Sequence, residues 1–316
     1  MKNFIKPQNK EDVKKFLSQE PQEILVNQIT PALEGRYKIE LDGVNFESFV
    51  MPSEIKKLVV FLGGQGIFQD KTVFLRAAWA YKFEGLCIGF DDPARREFKI
   101  APCWYYGTKD KDYTLLLMKI IKQFCLVNNI HSENVVFVSS SNGGFASIRI
   151  AEFFPQSVCL AYNAQIDIET YDSRKKFQFK KTFSIAYQDS NERLSLKQLF
   201  LRTKFKKNHT RYFLYFNIRS LIDLEQMQLL EKWLERKLRI GLNRITDDFV
   251  IGVASVDAID AHIAQPQMFS SVLLEDFFKF NIQLQNKVWD SIYSATKLNF
   301  ELNKEIASLK KQTPHA

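Results

Sequence analysis

The sequence predicts an α/β fold, a mostly parallel central sheet with helices on both faces and a cap insertion. Three observations predict it. Lys57–Leu62 is a continuous apolar run ending in Gly63-Gly64-Gln65-Gly66, the pattern of a strand buried on both faces. Val135–Val138 runs through Ser139-Ser140-Ser141-Asn142-Gly143-Gly144 into apolar residues at helical spacing, which reads as strand, sharp turn, helix. Downstream, Arg211–Phe216, Leu221–Ile240 and Asp248–Ala254 continue the alternation of strand and helix.

Taken in order, residues 1–35 read as a preface: a helix over Glu11–Ser18, then a connection punctuated by Pro21 and Pro31. Arg36–Leu41 and Val44–Val50 flank Asp42-Gly43, a pair suited to the positive φ angles of a tight hairpin. After Lys57–Leu62 come a helix over Val73–Phe83, a strand over Leu86–Phe90, and a loop from Asp91-Asp92-Pro93 that carries Trp104-Tyr105-Tyr106-Gly107. Those aromatics suit a sugar-stacking or acyl-lining wall, or a packed loop. Tyr113–Asn128 is apolar nearly all round, which predicts a buried helix. Beyond the serine-rich turn, Ser157–Tyr162 is the next strand, with Asn163, Gln165 and Asp167 at its carboxyl end, where ligand sites of α/β sheets gather. Residues 168–210 break the rhythm and read as the cap. The main domain spans 36–284, and 285–316 reads as a terminal amphipathic helix and tail.

The turn at Ser141 has the context of a nucleophile elbow, which holds a hydroxyl on a strained turn at the carboxyl end of a central strand. A serine- and glycine-rich turn without chemistry, or one that binds phosphate, fits the same residues. Glycines after Leu62 let backbone N–H groups face an oxyanion, so Gly64 and Gln65, with Asn142 after the serine, are the candidate oxyanion hole. A serine nucleophile needs an imidazole base, and the chain has four histidines. His131 precedes the elbow strand, His209 sits in a basic cluster and His315 in the tail. His262 alone follows the last strand, where the α/β-hydrolase order Ser…Asp/Glu…His puts the base. For the acid, Asp223 is the first choice, with Asp257, Asp260 and Asp167 as alternatives. Trp104, Tyr105, Asn163 and Gln165 are the candidate substrate contacts.

A net charge of +8 favours anionic partners, with acidic polysaccharide, nucleotide-bearing donors, nucleic acid and anionic membrane surfaces all open. Basic clusters at Arg174–Lys181 and Arg202–Arg211 are interleaved with Phe177, Phe179, Phe183 and Phe205, but no nucleic-acid motif accompanies them, so nucleic acid is not an expected partner. Cys87, Cys103, Cys125 and Cys159 have no close pairing and read as reduced thiols, with no metal expected. No apolar run approaches the ~20 residues that span a bilayer, and the start has no signal-peptide pattern, so a cytoplasmic setting with at most peripheral membrane contact is expected.

The elbow, Asn163-Ala-Gln-Ile-Asp167 and His262-Ile-Ala-Gln-Pro266 together resemble a bacterial group of α/β-hydrolase-like proteins of surface-polysaccharide and glycan biosynthesis. The group includes capsule O-acetyltransferases and the hydrolase-like component of the accessory Sec system. The resemblance covers about residues 55–280. Two positions differ from the group's pattern: Ser139 stands where the elbow usually has Gly, and Ser220 where an Asp is usual. The resemblance implies serine-dependent acyl transfer to a capsular polysaccharide or glycan, with acetyl-CoA open as acyl donor. Carbohydrate O-acetyl esterase and a non-catalytic scaffold of a glycan-assembly or secretion complex are the alternatives.

Overall fold

The computed structural model describes residues 7, 9–63, 74, 77–98, 103–108, 110–168, 170, 195–203 and 209–255. The strands among them are β1 (Gln22–Leu25), β2 (Gly35–Leu41), β3 (Val44–Met51), β4 (Leu58–Leu62), β5 (Leu86–Phe90), β6 (Val135–Ser140), β7 (Val158–Tyr162), β8 (Arg211–Asn217), β9 (Gly241–Thr246) and β10 (Phe249–Ala254). They form one sheet in the order β1-β2-β3-β5-β4-β6-β7-β8-β10-β9. Only β3 and β9 run against their neighbours. The helices are α1 (Lys10–Leu17), α2 (Pro93–Phe98), α3 (Tyr113–Asn128), α4 (Ser141–Ala151), α5 (Lys197–Thr203) and α6 (Leu221–Leu234).

The central strands are buried at every position because both of their faces are covered, and apart from Ser139 and Ser140 at the end of β6 they are apolar. Successive side chains point to opposite faces. Leu58, Val60, Leu62, Val135, Phe137, Cys159, Tyr212 and Leu214 join one core with α3, α4, α5 and α6. Val59, Phe61, Val136, Val138, Leu160, Phe213 and Tyr215 join the other, with Val13 and Phe16 of α1 and with Ala77, Ala80 and Phe83.

Several elements differ from the sequence reading. The connection after the first helix contains β1, which pairs in parallel with β2 at the sheet edge. Of the helix expected over Val73–Phe83, the described part is a 3-10 helix, Ala77–Lys82. Its buried residues Ala77 and Ala80, and Phe83 just beyond its end, recur every third position, matching the three-residue repeat of that winding. The loop after β5 contains α2, which begins with Pro93 behind the capping residue Asp92. Helix α3 is not buried all round, since Leu126 is 74% exposed. The last long helix stops at Leu234, where Glu235 turns left-handed at φ 52°, and the chain returns as β9. Of the expected cap, only 168, 170, 195–203 and 209–210 are described, with Ser195 bridging back to Asp167. The terminal helix expected over 285–316 lies outside the described residues.

The strand ends are level. Leu62 pairs with Ser139, Ser140 with Tyr162, Tyr162 with Tyr215, and Asn217 with Ala254. The chain therefore leaves β4, β6, β7, β8 and β10 side by side at one edge, which lines up Gly63, Ser141, Asn163, the start of α6 and Ser255.

Candidate active site

Ser141 follows β6 and opens α4 with φ 55°, a left-handed conformation that costs a non-glycine residue about 1–2 kcal/mol. The turn holds because its neighbours leave no alternative. A Cβ on Gly143 would stand 2.5 Å from the Leu62 carbonyl oxygen and 2.6 Å from that of Gly63, so α4 reaches the end of β4 only with glycine there. Ser139, at the elbow's first position, is buried in β6 and donates to the Leu160 carbonyl at 3.5 Å. The hydroxyl thus has a partner in the sheet, and the departure from glycine is accommodated.

The Ser141 hydroxyl is half-buried and accepts a hydrogen bond from Gln165 Nε2 at 3.2 Å. The backbone pairs as well, with the Gln165 amide donating to the Ser141 carbonyl at 3.2 Å. Which end of the Gln165 amide faces the serine is decided by Trp104. The indole N–H can only donate, and it donates to Gln165 Oε1 at 2.5 Å, leaving Nε2 for Ser141. Oγ therefore accepts from Gln165, and its own proton is directed elsewhere. Asn142 is fully buried, and among the described residues neither polar atom of its side chain has a hydrogen-bond partner. Its backbone N–H belongs to the first turn of α4, whose amides have no acceptor within the helix.

Trp104 and Tyr105 are buried, at 1% and 0% exposure, and both are left-handed, with φ 55° and 52°. They bear on the site through their polar tips and not through exposed ring faces. Tyr105 donates its phenol proton to the Phe90 carbonyl at 2.7 Å and accepts from the Gly63 amide at 3.0 Å.

Asp223 lies buried in the first turn of α6, whose N-cap is Ser220, the residue standing where an Asp is usual in the resembling group. Its Oδ2 accepts from Asn163 Nδ2 and from the Asn217 amide at 3.2 Å. Asn163 is left-handed at φ 50°, and its amide donates to the Tyr215 carbonyl at 2.6 Å. Asp167 lies further along the same loop and accepts from the Thr170 amide at 2.7 Å. The structure thus brings Ser141, Asn142, Asn163, Gln165 and Asp223 to one edge, with Trp104 and Tyr105 behind them. His262, Gly64, Gln65, Asp257 and Asp260 lie outside the described residues, which reach Ser255 at the end of the neighbouring β10.

Two groups escaped the sequence reading. Gln226 is buried on α6 and accepts from the amides of Ile166 and Asp167 at 2.7 and 2.9 Å, clamping the loop that carries Gln165. The signal was its spacing, three residues after Asp223 and so on the same helix face. The other is the carboxylate pair after β5. Asp91 binds Arg95 at 2.6 Å and Arg96 at 2.9 Å, while burial pushes the Asp92 carboxyl up to about 7. An Asp before Pro at a strand end is a helix-capping signature.

Burial also pushes the thiols of Cys103, Cys125 and Cys159 up, Cys125 to about 12, so none of these three is a thiolate nucleophile at neutral pH. Among the described residues no cluster of His, Cys, Asp and Glu could hold a metal ion, and no helix is long and apolar enough to cross a membrane.

No family model matches the sequence, and no curated protein matches it. Solved structures do. The Glycosylation Associate Protein (Gap123) complex from Streptococcus agalactiae superposes with a TM-score of 0.52 at 13% identity, over 77% of this chain and 44% of that one. The chain thus spans less than half the length of that protein. The capsule O-acetyltransferase of Neisseria meningitidis serogroup A superposes with a TM-score of 0.51 at 14% identity, over 77% of this chain and 94% of that one. The fold is α/β-hydrolase-like.

Proposed function

We propose that the chain is a serine-dependent acyl-transfer enzyme, with Ser141 as nucleophile, His262 as base and Asp223 as the acid that orients it. The observation that carries this reading is the left-handed Ser141 between β6 and α4, its hydroxyl accepting from Gln165. That geometry is what an activated hydroxyl needs: it is lifted out of the sheet, its lone pair is engaged by an amide, and its proton is left for a base. In the reaction His262 takes the Ser141 proton as Oγ bonds to the acyl carbon. The N–H groups of Asn142 and of Gly64 or Gln65 hold the tetrahedral oxyanion. Collapse expels the donor's leaving group, which takes the proton back from the imidazole. The acyl group then passes to an acceptor hydroxyl or to water, and Ser141 is regenerated.

The likeness to a capsule O-acetyltransferase supports acetyl as the acyl group, and the net charge of +8 supports an acidic glycan as acceptor. Acetyl-CoA, itself an anion, fits the same charge as donor. Transfer to a surface polysaccharide is therefore favoured over hydrolysis of a carbohydrate acetyl ester. The likeness to a protein of a glycosylation complex supports the second reading, a hydrolase fold kept as a scaffold.

A fluorophosphonate probe separates enzyme from scaffold. Labelling of the folded chain that disappears in Ser141→Ala is the expected result, and a folded chain that takes no label overturns the serine reading. Acetyl-CoA turned over only when capsule fragments are present is the outcome expected of a transferase. Release of acetate from p-nitrophenyl acetate without an acceptor would reassign it as an esterase.

A further inference from the structure

Behind the candidate site, one buried carboxylate is tied to both of its halves. Asp92 is 2% exposed and makes no ion pair among the described residues, because Arg95 and Arg96 are engaged by Asp91. Its two oxygens do different things. Oδ1 accepts from the Ala94 amide at 3.1 Å and caps α2, while Oδ2 crosses to the Trp104–Tyr105 turn and accepts from the Tyr105 amide at 2.5 Å. The cap alone does not need the second oxygen. That turn consists of two consecutive left-handed non-glycine residues, a conformation that persists only where surrounding bonds enforce it. From it, the Trp104 indole orients Gln165 toward Ser141, and the Tyr105 phenol holds the Gly63 amide at the head of the glycine loop.

We propose that Asp92 is a positioning residue for the candidate site, pinning the Trp104–Tyr105 turn so that Gln165 engages the Ser141 hydroxyl and Gly63 is held at the opposite side. The effect on rate rests on the reading of Ser141 as nucleophile; the effect on the turn does not. An Asn at position 92 has a single acceptor oxygen, so either the Ala94 or the Tyr105 amide would face an N–H₂ group. Protonating the carboxyl weakens the same pair of bonds, since the oxygen that takes the proton becomes a donor and a poorer acceptor. Burial first, and then the charge of Asp91, hold the Asp92 proton up to about pH 7, against the opposing pull of the two amides and Arg95. Of the other groups facing it, Cys103, Tyr105 and Tyr113 are all pushed above their ordinary values and stay neutral through this range. On the β3 side, Glu47 is engaged by Arg36 and Arg96. The link between Asp92 and the turn therefore tightens as pH rises through about 7.

The test uses the full chain labelled with ¹⁵N-tryptophan. The chain has four tryptophans, so the indole N–H of Trp104 is assigned by its loss in Trp104→Phe. In the wild type this resonance is expected to move with a midpoint near pH 7. The movement should vanish in Asp92→Asn and persist in Ser141→Ala. Fluorophosphonate labelling at pH 8 is expected to slow by roughly 10- to 100-fold in Asp92→Asn, the scale of a small misplacement of reacting groups. Asp92→Ser keeps a capping oxygen for α2 but cannot reach Tyr105, so it should behave like Asp92→Asn; wild-type labelling in it would assign Asp92 to the cap alone and overturn the proposal. A Trp104 resonance without a midpoint between pH 6 and 8 overturns it too, and decides the matter if neither variant folds. If no chain takes label, the serine reading fails, and the resonance still decides whether Asp92 holds the turn.

Discussion

The most constrained atoms of the site are backbone atoms. Gly143→Ala would bring a methyl group within 2.5 Å of one carbonyl oxygen and 2.6 Å of another, and neither can rotate away. Overpacking of this kind costs roughly 1–3 kcal/mol, to be read as a lower urea midpoint, with slower labelling of Ser141 because α4 must shift. Asp92 makes a separate, pH-dependent contribution. Its carboxyl is pushed up in the folded chain, so the stability it adds is fully present below the ordinary carboxylate range and is lost as pH rises through about 7. Urea unfolding of wild type and Asp92→Asn at several pH values should therefore turn in favour of the variant as pH rises from 5 to 8, by at most about 1.4 kcal/mol per pH unit for one proton.

Among the elements, α6 does most to organise the site. Asp223 and Gln226 point from one face of it to the loop after β7, the first toward Asn163 and the second toward the amides of Ile166 and Asp167. Gln226→Ala would leave two buried N–H groups without an acceptor, at about 1–3 kcal/mol each. The expected result is a loss of roughly 2 kcal/mol or more in urea together with weaker labelling, since Gln165 rides on the loop that is released. The elements that were legible in the sequence are those whose local pattern and tertiary role agree. The buried strands β4, β5 and β6, the Asp42-Gly43 hairpin, and the turn at Ser141 all fall where the residues put them. The end of α6 was not legible, because Glu235-Arg236-Lys237 are good helix formers and nothing local marks Glu235 as left-handed. Strand β9 was lost with it, and β1, four residues long and mostly exposed, carries no alternation of apolar and polar residues. Within the candidate site, the places of Ser141 and Asp223 at one edge of the sheet could be read from the strands they follow. The roles of Trp104, Gln165, Gln226 and Asp92 depend on contacts between distant stretches, which spacing along the chain does not encode.

For the whole molecule, the sheet is covered unevenly, and its stability should follow. Strands β4, β6, β7 and β8 sit mid-sheet with every residue buried, apart from half-buried Arg211, whereas at the edges β1 has only exposed or half-buried side chains and β9 buries only Leu242 and Asn243. Native-state hydrogen exchange should find the slowest amides in those four central strands and the fastest strand amides in β1 and β9. Comparable protection across the sheet would contradict this ordering. Because the Ser141 turn is rooted in β6, one of those four strands, its strained backbone should persist well short of global unfolding. The same architecture gives the site an optical voice. An indole sealed from solvent stands one side chain away from the hydroxyl, and its emission depends on the bond it makes to Gln165. A substituent arriving on that oxygen would disturb the amide first and the fluorophore next, so acylation of the hydroxyl would register as a change in the share of emission that comes from Trp104, one of the chain's four tryptophans.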